Sequence, residues 1–260
     1  MLNSINPSIK AITVCVPGLL LAFIFDPFTP AVYLLFTILM TFLLSDIPIK
    51  KWVMIFTPFI LMSLGFAWMT ALYSADSFSG GQVIFSFWSF EVTYDSMMVA
   101  ISLGLRSLCL VALSMMFVLT TDSTKFMLSL MQQCKLPPKF TYGILAGYRF
   151  LPTFRHEFEV LRQAHRVRGV DRARGIKDKI YQIRRYAIPL LANAIRKAER
   201  VAVAMESKGF TGSTKRTHYY EMKVNRRDWL FLSGFVVVFF GAVYASYHFG
   251  HLNIFGRQFN

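Results

Sequence analysis

Residues 157–212 read EFEVLRQAHRVRGVDRARGIKDKIYQIRRYAIPLLANAIRKAERVAVAMESKGFTG. Two helix-patterned runs end within this stretch, each on a cation followed by glycine: Val167-Arg168-Gly169 and Ser207-Lys208-Gly209. The two cations stand 40 positions apart. A glycine just past the last periodic residue stops a helix, because it enters the left-handed region without steric cost. In the first run Leu151, Phe154, Phe158, Leu161 and His165 step by three and four and share a face, with Arg155, Glu159, Arg162 and Arg166 opposite. In the second, Ile188, Leu191, Ile195, Ala198, Ala202 and Met205 repeat the stepping. Ala194, Ala198 and Ala202 add a small-residue stripe on which two helix axes can approach closely. The pattern predicts one helix over 141–168, kinked at Pro152, and another over 187–208. They are expected to cross on the alanine stripe with their basic tips free.

This polar stretch sits in a chain that is otherwise membrane-like. Of its 260 residues 55% are hydrophobic and the mean hydropathy is +0.46, an excess that points to lipid as the solvent. Residues 121–228 carry 23 of the 28 Lys/Arg and 9 of the 14 Asp/Glu, so one segment holds the whole net charge of +14. Such a segment stays on the cytoplasmic face. There its charge suits anionic headgroups or an acidic protein surface, and does not require nucleic acid. Cys15, Cys109 and Cys134 are odd in number and widely spaced, which suits neither a disulfide framework nor a metal cluster. They read as packing residues.

Five apolar runs are legible, at 11–25, 28–44, 52–73, 97–120 and 229–247. The first two are short: at ~1.5 Å per residue they reach about 22–26 Å, below the ~30 Å hydrocarbon core. No small-residue cleavage site follows the first, which reads as retained. Asp26-Pro27 reads as an outer turn between these two runs, and Lys50-Lys51 as an inner anchor. Residues 74–96 hold Asp76, Glu91 and Asp95 but no Lys or Arg, and suit the outer face. Gly80-Gly81 marks a turn there, and the alternation of Val83, Phe85 and Phe87 suggests a short extended segment. Arg106 lies inside the fourth run, and an intramembrane arginine is a functional candidate by default. With no acid in the same run, it reads as a structural residue bonded to a neighbouring helix carbonyl. Thr121-Asp122-Ser123 offers cap chemistry for a short amphipathic helix over 124–134, which Leu136-Pro137-Pro138 stops. The fold class is therefore all-α: a polytopic membrane protein of about five transmembrane helices with a cytoplasmic pair of long crossing helices. It divides into 1–120, 121–228 and 229–260, with both the amino terminus and the basic segment inside.

These residues resemble a known family. Leu136-Pro137, Ala146-Gly147-Tyr148-Arg149-Phe150-Leu151-Pro152, Glu157 and Ala164-His165-Arg166-Val167-Arg168-Gly169-Val170-Asp171 are similar to the first coupling region of the transmembrane component of energy-coupling-factor transporters. Ile188-Pro189-Leu190-Leu191, Arg196-Lys197-Ala198-Glu199-Arg200 and Ala204-Met205-Glu206-Ser207-Lys208-Gly209-Phe210 are similar to its second. The motif-bearing match runs over about 106–210, and the earlier spans match only in hydrophobic pattern. The family signature is Ala-Arg-Gly, twice. Here Val167 replaces the first alanine, and Ser207-Lys208 replaces Ala-Arg. Lysine keeps the charge but loses the planar fork of arginine. A literal Ala173-Arg174-Gly175 is the rival placement, set aside because it follows Gly169 too closely to end the long helix.

The resemblance implies a non-catalytic, multi-pass subunit of a prokaryotic plasma membrane. It would join two ATP-binding-cassette ATPases to a separate substrate-binding membrane subunit, for uptake of a vitamin (a thiamine precursor is one candidate) or of cobalt or nickel. Val167, Arg168, Gly169, Ser207, Lys208 and Gly209 would then meet the ATPases. Arg106 and Arg149 are structural or intramembrane candidates, and no catalytic, cofactor-binding or metal-binding residue is implied. The residues agree in lacking a phosphate-binding Gly-x-x-x-x-Gly-Lys-Ser/Thr loop. Two other classes remain. A membrane-embedded lipid-modifying enzyme would need an acid–base pair or metal site at the inner face, and Asp171, Asp178 and His165 lack that spacing. A self-contained carrier would line several spans with polar residues, and only Arg106 is conspicuous.

Overall fold

Asn6 opens the first helix. Its side chain accepts from the backbone N–H of Ser8 at 3.1 Å, and Pro7 fills the first turn, where a missing N–H costs nothing. In the computed structural model, which describes residues 2–73, 83–87, 90–169, 175–214 and 216–249, this helix, α1, spans Pro7–Leu21. It therefore begins and ends about four residues before the apolar run. It is followed by α2 (Phe28–Leu44), α3 (Ile49–Tyr73), strands β1 (Val83–Phe87) and β2 (Phe90–Thr93), and α4 (Tyr94–Thr120). Then come α5 (Ser123–Gln133), α6 (Pro138–Val167), α7 (Ile176–Ser207) and α8 (Arg226–His248). Three of these, over Ile49–Leu72, Ser96–Thr120 and Arg226–His248, are long and apolar enough to cross a membrane, and α1 and α2 are shorter apolar helices. Among the described residues the regular structure is helical except for one antiparallel hairpin. It pairs Phe85 with Val92 and Phe87 with Phe90, and a bulge lies between Val83 and Phe85. Asp76 and Gly80-Gly81 lie outside the described residues.

The chain folds as two units, residues 1–129 with 222–260, and residues 130–221. In the first, α4 packs against α1, α2 and α3, and α8 against α1 and α2. Phe231, Phe235 and Phe239 step by four along α8 and bury one face with Leu21, Tyr33, Cys109, Leu113 and Met116. Tyr33 meets Phe235 and Phe239 edge-on, at 6.2 and 5.4 Å between ring centroids, geometry worth about 0.5–1.5 kcal/mol per pair beyond burial. Close helix approach uses small residues. Thr37 and Thr41 are buried on α2 with their hydroxyls returned to the carbonyls of Tyr33 and Thr37. On α4 a side chain at Gly104 would meet Ala67 of α3 at 3.3 Å, and Ser63 donates to the Gly104 carbonyl at 2.8 Å.

Asp26, in the connection between α1 and α2, is buried. Its Oδ2 accepts from the Thr29 backbone N–H at 3.1 Å, from the Thr29 hydroxyl at 2.7 Å and from the Ser246 hydroxyl of α8. The Ser102 hydroxyl of α4 donates to its carbonyl at 2.9 Å. One residue thus fastens the α1–α2 connection to two other helices.

In the second unit α6 begins at Pro138 and continues through Pro152, and α7 begins at Ile176, eleven positions before the expected start. Pro189 is accommodated inside α7 and does not open it. Asp178 caps this earlier start, accepting from the Gly175 N–H at 3.3 Å. The two helices run antiparallel; α6 uses Phe158 and His165 of its expected face, but α7 does not use the face expected of it. Their contact is made by Phe158 and His165 against Tyr186, at 5.7 and 5.3 Å, and by Glu157, which accepts from Asn193 at 2.8 Å and pairs with Lys197. Leu190 is the buried apolar residue of α7, whereas Ile188, Leu191 and Ile195 are exposed. The alanine stripe is not the crossing point either. Ala194, Ala198 and Ala202 line an open cleft of about 780 Å³, shared with Gly143, Ala146 and Gly147 of α6.

Candidate functional site

Both long helices end in the same way. Arg168 is the cap residue of α6, and Gly169 follows at φ +72°. Lys208 is the cap residue of α7, and Gly209 follows at φ +81°. A Cβ at either glycine would have open space around it, so the left-handed backbone, not crowding, is what calls for glycine. At the second tip the Gly209 N–H donates to the Glu206 carbonyl at 2.9 Å and the Phe210 N–H to the Met205 carbonyl at 3.0 Å. This pair of bonds is the Schellman arrangement, which satisfies helix-end carbonyls and fixes the direction of the chain. At the first tip the Gly169 N–H makes the equivalent bond to Arg166 at 3.1 Å.

Each tip is braced from behind. Behind Arg168, His165 packs on Tyr186. Behind Lys208, Phe210 stands edge-on to Tyr142 at 5.5 Å, and the Arg216 guanidinium lies over both rings at 5.4 and 4.9 Å. The cations themselves are exposed, and among the described residues neither has an ion pair or a side-chain hydrogen bond. Val167 is 88% exposed, an apolar surface beside the first cation. Ser207 turns its hydroxyl back onto the Ala204 carbonyl at 3.0 Å. It therefore adds little polarity to the tip, and serine stands in for alanine there at small cost. Val170, Asp171, Ala173 and Arg174 lie outside the described residues.

Arg106 belongs to a different place. Its Nη1 donates to the carbonyls of Ala22 at 2.9 Å and of Leu21 and Ile24 at 3.4 Å, and its guanidinium lies over the Phe25 ring at 4.8 Å. It closes the end of α1, where helix carbonyls lack partners. Arg106→Leu is expected to cost about 2–4 kcal/mol by removing the side-chain donor of the Ala22 and Ile24 carbonyls. The thermal midpoint of the detergent-purified protein should fall by about 5–10 °C. Arg149 is exposed on α6. Among the described residues no group of three or more His, Cys, Asp or Glu comes together.

The sequence pattern did not reveal the Glu157–Asn193–Lys197 contact, because periodicity relates residues within one helix and carries no signal between two. It also missed the buried polar residues Asn6, Ser8, Ser129 and Asp228.

Comparison with known proteins bears on the whole arrangement. The sequence matches the model of the CbiQ family, described as cobalt transport protein, over residues 1–219. Relatives include three bacterial proteins named energy-coupling factor transporter transmembrane protein EcfT. The one from Exiguobacterium sibiricum is 33% identical over 156 residues, 57% of this chain and 59% of that protein, less than two thirds of its length. The one from Streptococcus thermophilus is 27% identical over 237 residues, 88% of each chain. The one from Ruminiclostridium cellulolyticum is 28% identical over 249 residues, 92% of this chain and 90% of that protein.

Proposed function

The chain belongs to the CbiQ family of cobalt transport proteins, and on that premise we propose that it is the coupling subunit of an energy-coupling-factor importer. It receives motion from two cassette ATPases through the tips of α6 and α7 and passes it to a separate substrate-binding membrane subunit. The observation that carries this reading is the repeated ending: an exposed cation as helix cap, then a left-handed glycine, on two braced antiparallel helices. A lone basic cap is adequately explained by the helix dipole, worth about 0.3–1 kcal/mol. That effect does not require two caps, both exposed and both braced from behind. A cation presented in this way is suited to a charge-assisted hydrogen bond with a partner's carboxylate.

The membrane partner has a surface to meet. Phe140, Ile144, Tyr148 and Leu151 form an exposed stripe along α6, and Ile188, Leu191 and Ile195 another along α7. Contiguous apolar surface of this kind marks interaction with protein or membrane. The substrate is chosen by that partner, and the candidates are a vitamin such as a thiamine precursor, or cobalt or nickel. The basic segment 121–228 faces the cytoplasm, between the membrane parts 1–120 and 229–260. The test is to purify the tagged chain from its native membrane. Two nucleotide-binding ATPases and a small membrane protein are expected to accompany it, and recovery without any ATPase rules the reading out.

A further inference from the structure

Within the unit formed by residues 1–129 and 222–260, the chain departs after Ser129 and returns at Met222. One residue near the amino terminus is bonded to both places. The Asn6 Oδ1 accepts from the Ser129 hydroxyl at 3.4 Å and from the Ser8 N–H at 3.1 Å. Its Nδ2 donates to the Lys223 carbonyl at 3.4 Å, and its backbone N–H donates to Asp228 Oδ1 at 3.0 Å. The neighbouring residues repeat the connection. The Ser8 N–H donates to the Ser129 hydroxyl oxygen at 3.0 Å, and the two hydroxyls are also bonded. Lys10 donates to the Thr120 carbonyl at 2.9 Å, at the end of α4. Asp228 accepts from the Asn225 N–H at 2.8 Å and so also caps α8. Asn6, Ser8, Lys10, Thr120, Ser129 and Asp228 are all buried. Packing apolar residues together would not require this many buried polar groups, each of which must be satisfied. An amide side chain suits the central position because it both donates and accepts. Aspartate could not donate to the Lys223 carbonyl and would stand beside Asp228.

We propose that Asn6 is a positioning residue for energy coupling: it clamps both chain connections of segment 130–221 to the start of α1, so that displacement of that segment is delivered to the membrane helices. The clamp rests on the coupling reading given above. It holds α5 at Ser129, where the chain departs, and the cap of α8, and α1 is the helix whose far end Arg106 and Asp26 fasten to α4, α2 and α8. A rigid path of buried hydrogen bonds transmits a displacement where an exposed loop would absorb it.

The experiment uses the whole complex, purified from the native membrane and placed in liposomes. Spin labels are attached at Leu43→Cys on α2 and Val237→Cys on α8, both exposed positions, with the native cysteines replaced. Binding of a non-hydrolysable ATP analogue with Mg²⁺ is expected to change the label distance by about 1–2 Å or more. Asn6→Ala should reduce that change to less than half, with ATPase still bound at the wild-type level. Ser129→Ala should do the same from the other side of the bond, and the double variant should be no worse than Asn6→Ala alone. The clamp is overturned if both single variants keep the full change, if ATPase is lost from both in step with the change, or if the wild-type complex binds ATPase and shows no change. A wild-type complex without ATPase removes the functional reading, and the clamp with it.

Discussion

Replacing Arg168 by glutamate is expected to abolish uptake while the protein still inserts and folds. The side chain is exposed at the end of α6 and has no partner among the described residues. Its loss should therefore change the stability of the isolated protein by no more than about 0.5 kcal/mol. In the complex the substitution sets an acid against the acid expected on the ATPase. Breaking a desolvated charge pair costs about 3–5 kcal/mol, which weakens association by about 100-fold or more. The measurements are ATPase recovered with the tagged variant and uptake of the transported solute by the same cells. Wild-type uptake in Arg168→Glu would remove this residue from the role. A larger effect from Arg174→Glu would move the first tip from Gly169 to Gly175. The position of Gly169 at φ +72°, directly after the last turn of α6, favours the former.

The second tip should distinguish charge from shape. Lys208→Ala is expected to lower ATPase association and uptake by about 10–100-fold, the effect of losing one charge-assisted hydrogen bond of about 1.5–3 kcal/mol. Lys208→Arg should retain at least half of the activity, because the backbone arrangement that aims the side chain resides in Gly209 and Phe210 and is untouched. Arginine can even add a second hydrogen bond where lysine offers a point charge. If Lys208→Ala is silent while Arg168→Glu is not, the two tips are unequal, and coupling runs through α6 alone.

The helix ends were the most legible feature of the chain. Glycine after a periodic run is a local signal, and the backbone at Gly169 and Gly209 obeys it. The apolar runs were legible for the same reason, since helix length and hydropathy are properties of one segment. What periodicity could not supply is which surface covers which. The residues Ile188, Leu191 and Ile195 share one face of α7 and are exposed, and α6 instead meets Tyr186, Asn193 and Lys197. An amphipathic pattern records that a face will be buried, and the partner can be another protein or lipid. The alanine stripe was misassigned on the same ground: it permits a close approach without saying by what. The apolar stepping begins only at Ile188, whereas α7 starts at Ile176, where Asp178 accepts from the Gly175 N–H. Buried polar contacts such as Asp26 with Ser246 and Asn6 with Asp228 join residues more than 200 positions apart. Asp26 reads as part of an outer turn from the sequence, which does not show that its carboxylate is buried against Thr29 and Ser246.

The coupling role is tested most directly at the tips themselves. A photo-crosslinking residue would be introduced at Val167 and, in a separate variant, at Ser207, and the complex irradiated in its native membrane. Both positions are next to the cations, and both are exposed. Each is expected to give an adduct with a cassette ATPase subunit, lost when Arg168 or Lys208 is replaced by glutamate. If the ATPases copurify but neither position crosslinks to them, or if both react only with lipid, the helix tips are not where this protein is gripped.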